Sequence, residues 1–360
     1  MASRKGRIKF GFQGISYPDV DATLDWARHA DEAGFDLVAM PDHLFHPRSE
    51  IFLSKAAWDV HAVLGATAAT TRRIRMMPAV TDTVRRHPAT TAHFIATLDR
   101  ISHGRAVLGI GAGELFNFEP LGDVQWERPV ARLREALGVI RALWSATKEQ
   151  PANLQGEIFS LNDAWLGLSP VQTPHPPIYI GGYGPKMKAL IAEAGDGWLP
   201  WLETPETYGR GSAQISSEAA KLGRNPEEID RAVEVFTAIT RDEAEISRIA
   251  QRASIGMSLR QDLLRQMGYD RLAEESVDVL RARFREEDWS KINSVASRIP
   301  LEAVRSVIIS GTPDQAIGRI EEYRKAGVNT FVLISPTDLI YQNMAAYRDE
   351  IIPYFAGPER

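Results

Sequence analysis

The sequence contains no cysteine. That absence excludes disulfides, thiolate metal sites and cysteine nucleophiles together, and it fits the reducing interior of a cell. Basic charge is not in excess either: 42 Lys and Arg against 47 Asp and Glu leave a formal net charge of -5. No basic stripe stands out, and the short run "RKGRIK" near the start reads as a solvated lead-in, so no nucleic-acid partner is expected. Long hydrophobic runs are missing: no apolar stretch approaches the roughly 18–20 residues needed to span a bilayer, and a strand-like run begins by residue 8 without a signal segment. The expectation is a cytoplasmic protein without membrane insertion. Hydrophobic residues at 44% and charged residues at 25% describe an ordinary globular chain. A length of 360 residues allows two ordinary domains or one large α/β barrel.

The order of elements favours the barrel. After the β-like run "IKFGFQGIS" (8–16), residues 19–34 place Val20, Leu24, Ala27 and Ala30 at helical spacing and stop at Gly34. A second strand, "FDLVAM", follows at once, which implies a parallel crossover. Strand-like runs recur at 74–80, 105–113, 176–182, 196–201, 232–240 and 329–335, each followed by helical text. Eight strand-helix units are the arithmetic of a single (β/α)8 TIM-like barrel spanning 1–360. Two stretches break the repeat: polar, proline-rich 145–176 and helical, charge-rich 243–303. Both read as insertions after barrel strands, where they would shape a substrate pocket.

The stretch "MPDHLF" (40–45) sets an aspartate and a histidine directly behind an apolar run. Asp42 and His43 read either as a capping residue beside a solvated histidine or as reactive groups displayed on the catalytic rim after the second strand. The fourth strand delivers Glu114 to the same rim. A histidine and a carboxylate facing one pocket suit proton transfer near neutral pH, although Glu114 also reads as a helix N-terminal carboxylate. In "GGYGPK" (181–186) glycines allow backbone N–H groups to approach an anion, Pro185 starts a helix and Lys186 adds charge, so a phosphate is favoured there. "GIGAGE" fails the G-x-G-x-x-G pattern because Glu114 takes the third glycine position. His43 and His46 could ligate zinc, but no third histidine or H-E-x-x-H pattern accompanies them, and no metal is expected. His87, next to a proline, reads as structural.

Together "MPDHLF", "PAVTDTVRRHPATTAHFIATLDRISHGRAVLGIGAGE", "EPLGDVQWERPVARLREALGVIRALW", "PPIYIGGYGPKMKALIAEAGDGWLP" and "SGTPDQAIGRIEEYRKAGVNTFVLIS" resemble the luciferase-like (β/α)8 flavin superfamily. They resemble most its coenzyme F420-dependent branch of methylenetetrahydromethanopterin reductase-like and phthiodiolone ketoreductase-like oxidoreductases. The resemblance implies F420 as cofactor, with FMN as the alternative, a small-molecule substrate and a homodimer. It places catalytic roles on His43 and Glu114. It places cofactor contacts on Asp42, on Ala79, Val80 and Thr81 with a non-prolyl cis bond between Ala79 and Val80, on Asn117, and on Gly181, Gly182, Tyr183, Gly184 and Pro185. Sugar-phosphate and simple-alcohol relatives carry a Trp shortly after the histidine; here the text is "LFHP". With apolar Leu44, Phe45, Phe116, Phe118, Trp198 and Trp201 nearby, the implied substrate is largely apolar or pterin-like. The implied function is hydride transfer between the deazaflavin and a carbonyl/alcohol or methylene carbon. The alternatives are an FMN-dependent monooxygenase, which needs a reductase partner and oxygen, and a catalytically inactive F420- or flavin-binding barrel.

Overall fold

A computed structural model describes residues 7–14, 19–45, 58–122, 124 and 126–356; His46 and the end of the first strand-like run, 15–16, lie outside them. Strand β1 (Lys9–Gln13) leads to helix α1 (Val20–Glu32), capped by Asp19, whose carboxylate accepts from the Asp21 amide at 3.0 Å. β2 (Leu37–Met40) and α2 (Val60–Thr70) follow. β3 (Arg75–Pro78) and β4 (Thr81–Asp82) occupy one strand position, interrupted by a cis peptide bond between Ala79 and Val80. Next come α3 (Pro88–Ile101), β5 (Leu108–Gly111) and α4 (Pro129–Ser145). Both helices begin on proline, whose missing N–H costs nothing at a first helical position. His87 is structural: its Nδ1 accepts from the Ala89 amide at 3.2 Å and caps α3.

The segment 145–176 forms an antiparallel hairpin, β6 (Ala152–Gln155) with β7 (Ser160–Ala164). It follows α4 rather than a strand, and Glu135 of α4 accepts from the Ile158 and Phe159 amides at 2.8 and 3.2 Å. It therefore packs on the outside of the barrel instead of shaping the pocket as expected, because only loops after strands open on the C-terminal face. The barrel resumes with β8 (Ile178–Ile180), α5 (Pro185–Ala194), β9 (Gly197–Trp198), α6 (Pro205–Lys221) and the ten-residue β10 (Asp230–Ile239). Helices α7 (Glu243–Met257), α8 (Gln261–Gln266), α9 (Asp270–Glu275), α10 (Glu286–Ala296) and α11 (Leu301–Arg305) build the second insertion. The short strand β11 (Ile308–Gly311) was not anticipated; it pairs in parallel with the upper half of β10, Phe236–Ile239. Then α12 (Pro313–Lys325), β12 (Thr330–Ile334) and α13 (Ile340–Ala346) close the repeat.

The parallel order is β3-β2-β1-β12-β10-β9-β8-β5-β4, and a bridge between Met76 and Ala106 closes the ring. Alternation sorts side chains as a barrel requires. Phe10, Phe12, Val38, Met40, Phe331 and Leu333 pack outward on the helices, whereas Leu37, Ala39, Met77, Tyr179, Ala232 and Val332 fill the interior. No helix among the described residues is long and apolar enough to cross a membrane.

Candidate active site

A cavity of about 280 Å³ opens over the C-terminal ends of the strands. Ala79, Val80 and Thr81 form part of its wall. Val80 projects inward where neighbouring strands carry glycine: a Cβ on Gly111 would lie 2.9 Å from Val80 Cγ2, and one on Gly181 would lie 3.4 Å from both Val80 methyls. Side chains at those two positions would collide with the bulge or crowd it.

His43 and Glu114 face each other across this space, Nε2 to Oε2 at 3.8 Å, each about one-third exposed. That is beyond direct hydrogen bonding but short enough for one reacting atom to touch both. Burial pushes the Glu114 carboxyl up to about 7; Arg85 opposes the rise and Asp82 adds to it. The His43 ring meets Phe116 edge-on at 5.2 Å, and Phe116 meets Phe284 of the second insertion at 5.1 Å. Asn117, buried and lining the cavity, accepts from the Leu44 amide at 3.0 Å and so fixes the loop that carries His43.

Asp42 does not line the cavity. Its carboxylate turns behind the wall, where Thr81 Oγ1 donates to it at 2.7 Å, Arg86 Nη1 at 2.5 Å, and Arg85 Nη2 lies 3.1 Å away. Burial works against that carboxylate, but the two guanidiniums and the hydroxyl outweigh it and hold its pKa below the ordinary value. Arg85 also donates to the backbone carbonyl of Asp42 at 2.7 Å and to Asp82 at 2.6 Å. Asp42 thus sits behind the wall in a buried ion cluster that braces the His43 loop. Arg85 also lines the cavity and was not among the residues expected there.

Gly181, Gly182 and Tyr183 line the opposite side; Gly184 and Pro185 lie beyond the lining, exposed at the start of α5. The backbone amides of Gly182, Tyr183 and Gly184 have no protein acceptor among the described residues. Arg260, buried in the second insertion, stacks over Tyr183 with its guanidinium carbon 3.4 Å from the ring centre, and pairs with Glu203 at 2.7 Å and Asp262 at 2.9 Å. The insertion also closes the outer wall with Ile255, Leu259, Val279 and Leu280. The Leu115 amide donates to the Leu280 carbonyl at 3.0 Å, and Glu119 pairs with Arg283 at 2.9 Å and Arg285 at 3.3 Å.

Of the apolar residues expected around the pocket, Phe116 and Trp201 line it, while Leu44, Phe45, Phe118 and Trp198 do not. Trp198 points outward and stacks on Tyr208, centroids 4.6 Å apart. Sequence reasoning also missed Gln13 and Glu234, both in the lining. An acid within the apolar alternation "AVEVF" was the available signal for the second. No group of three His, Asp or Glu side chains converges as a metal site among the described residues.

Eight parallel strands with a cavity over their C-terminal ends define an α/β-barrel enzyme. The chain belongs to the luciferase-like monooxygenase family, whose sequence model matches residues 7–330, and it is an oxidoreductase. It is 34% identical over 333 residues to the 5,10-methylenetetrahydromethanopterin reductase of Archaeoglobus fulgidus, covering 91% of this chain and 94% of that protein. A phthiodiolone/phenolphthiodiolone dimycocerosates ketoreductase of Mycobacterium tuberculosis is 34% identical over 273 residues, 73% of this chain and 70% of that protein. Among solved structures, the coenzyme F420 dependent tetrahydromethanopterin reductase of Methanopyrus kandleri shares the fold, with TM-score 0.78 at 23% identity over 97% of this chain and 99% of that one.

Proposed function

We propose that this chain is an F420-dependent oxidoreductase that reduces a carbonyl or methylene-type carbon of a small, largely apolar or pterin-like molecule, or runs the reverse oxidation. The observation that carries the reading is the approach of His43 Nε2 and Glu114 Oε2 to 3.8 Å across the cavity. When bound, a deazaflavin supplies a hydride and no oxygen chemistry, so the protein has only to bind, orient and move one proton. The residues suit that cofactor. Val80 between Gly111 and Gly181 offers a flat apolar support, and the amides of Gly182, Tyr183 and Gly184 at the start of α5 suit a phosphate. Glu114, with its carboxyl raised to about 7, holds a proton that it can give to a carbonyl oxygen as the carbon is reduced, and in oxidation it takes the alcohol proton. His43, braced through Asn117 and the Asp42–Arg85 cluster, orients that oxygen. The apolar wall of Ile255, Leu259, Val279 and Leu280 supports an apolar substrate body. Titrating the purified protein with F420 and with FMN, followed by fluorescence, tests the reading. Micromolar F420 binding is expected; FMN binding with no response to F420 overturns it.

A further inference from the structure

Two polar side chains, half-buried Gln13 and buried Glu234, line the cavity from strands that the proton-handling pair does not use. Gln13 ends β1 and Glu234 lies within β10, with only β12 between these strands. The registers Gln13↔Ile334 and Phe236↔Ile334 set them on one inner face, Glu234 two residues deeper than Gln13. Glu234 is 8% exposed. Its Oε1 and the Oε1 of Gln13 are buried without a hydrogen-bond partner among the described residues, and both residues line the cavity. Leaving a buried acceptor unsatisfied costs about 1–3 kcal/mol, and few such groups persist in native proteins without a function or a ligand. Burial, with the Glu114 carboxylate adding to it, pushes the Glu234 carboxyl up to about 8, so it is neutral at pH 7 and presents an O–H beside a C=O. The carboxamide of Gln13 presents the same donor-acceptor edge. The group complementary to such an edge is a lactam, a ring N–H next to a C=O.

We propose that Gln13 and Glu234 form a lactam-binding wall of the active-site cavity, three strand positions around the ring from Glu114. The proposal rests on the F420 reading above and deepens it. The lactam belongs either to the pyrimidine ring of the deazaflavin or to a pterin-type substrate. Glu234→Gln keeps the donor-acceptor edge, whereas Glu234→Leu and Gln13→Leu remove it. The dissociation constant for F420 is measured by fluorescence, and that for tetrahydrofolate, as the pterin probe, by calorimetry with and without saturating F420. Thermal melts of the ligand-free variants report folding. Glu234→Gln is expected to stay within threefold of wild type. The two leucine variants are expected to weaken one ligand tenfold or more, about 1.4 kcal/mol, while Glu234→Leu melts at or above the wild-type temperature because the orphan group is gone. A loss confined to F420 assigns the wall to the cofactor, and a loss confined to tetrahydrofolate assigns it to the substrate. Unchanged affinity in both arms, with folded variants, overturns the wall. A wild-type protein that fails to bind F420 overturns the functional reading instead, and the pterin arm without F420 then decides the wall.

Discussion

Two neighbouring stretches of the cavity wall meet the cost of burying polar groups in opposite ways. On the β2–β4 side Asp42, Thr81, Asp82, Arg85 and Arg86 satisfy one another, and the cluster is complete without any ligand. On the β1–β10 side Gln13 and Glu234 carry oxygen atoms with no partner among the described residues. The first side spends its charges on holding in place the loop that carries His43. The second leaves its hydrogen-bonding capacity open, which lowers the stability of the folded chain but reserves those groups for whatever enters. Precise placement and open binding capacity are thus built on different strands.

The largest expected effect is catalytic. Glu114→Gln and His43→Ala should each lower kcat by about 10²–10⁴-fold, the usual range for a lost proton-handling group, with F420 affinity within tenfold. In the reducing direction the working form of Glu114 is protonated, so wild-type turnover should fall as pH rises through about 7 and Glu114→Gln should lose that limb. Near wild-type turnover in both variants would move proton transfer to the other wall.

The satisfied side should be fragile to the loss of any single member. Arg85→Met removes the guanidinium that pairs with Asp82 and one of the two that pair with Asp42, in a nearly water-free site where Arg85 and Asp42 are only 4% and 3% exposed. It should lower the unfolding free energy in urea by about 3–5 kcal/mol. A loss under about 1 kcal/mol would mean that the cluster does not brace the loop.

The two sides should also titrate in opposite senses. Glu234 holds its proton in the folded chain up to about 8, whereas the unfolded chain releases it near 4.5, so this group makes stability decline as pH rises between those values. Asp42 is shifted down from 3.8, and its contribution is present above that pH and is lost on further acidification. Thermal melts of Glu234→Gln between pH 5 and 8 should therefore slope less steeply than those of wild type; identical slopes would place the Glu234 carboxyl in an ordinary environment.

The smallest effect should come from the exposed ion pairs that join Glu119 to the second insertion. Glu119→Gln removes the pairs with Arg283 and Arg285, which are 48% and 66% exposed, and should cost less than about 1 kcal/mol in denaturant unfolding, less still in high salt.

Legibility followed the physical period of each element. The eight strand positions stood out because each is an apolar run bounded by turn residues, and the Asp-His and Gly-Glu pairs at their ends are visible as polar breaks. The family resemblance pointed to the cis bond between Ala79 and Val80. β11 was lost because "IISG" is four residues beside helical, charged text, and the hairpin β6–β7 because its polar, proline-containing surroundings mask a two-residue alternation. The phase of alternation decided other residues. β9 is assigned over two residues only, too few to show from sequence that Trp198 faces the helices while Leu199 faces the interior.

By itself the sequence determined the barrel, the strands that carry His43 and Glu114, and the absence of cysteine chemistry, because these depend on local pattern and composition. Tertiary structure alone decided that Asp42 turns back to Arg85 and Arg86 while its neighbour His43 turns forward, and that 243–303 reaches the cavity while 145–176 packs outside it. It also decided that Gln13 and Glu234 share one wall although 221 residues separate them along the chain. Charge pairing, burial and the shifts in proton affinity that follow from them are set by neighbours brought together through ring closure, and no local pattern records which neighbours those are.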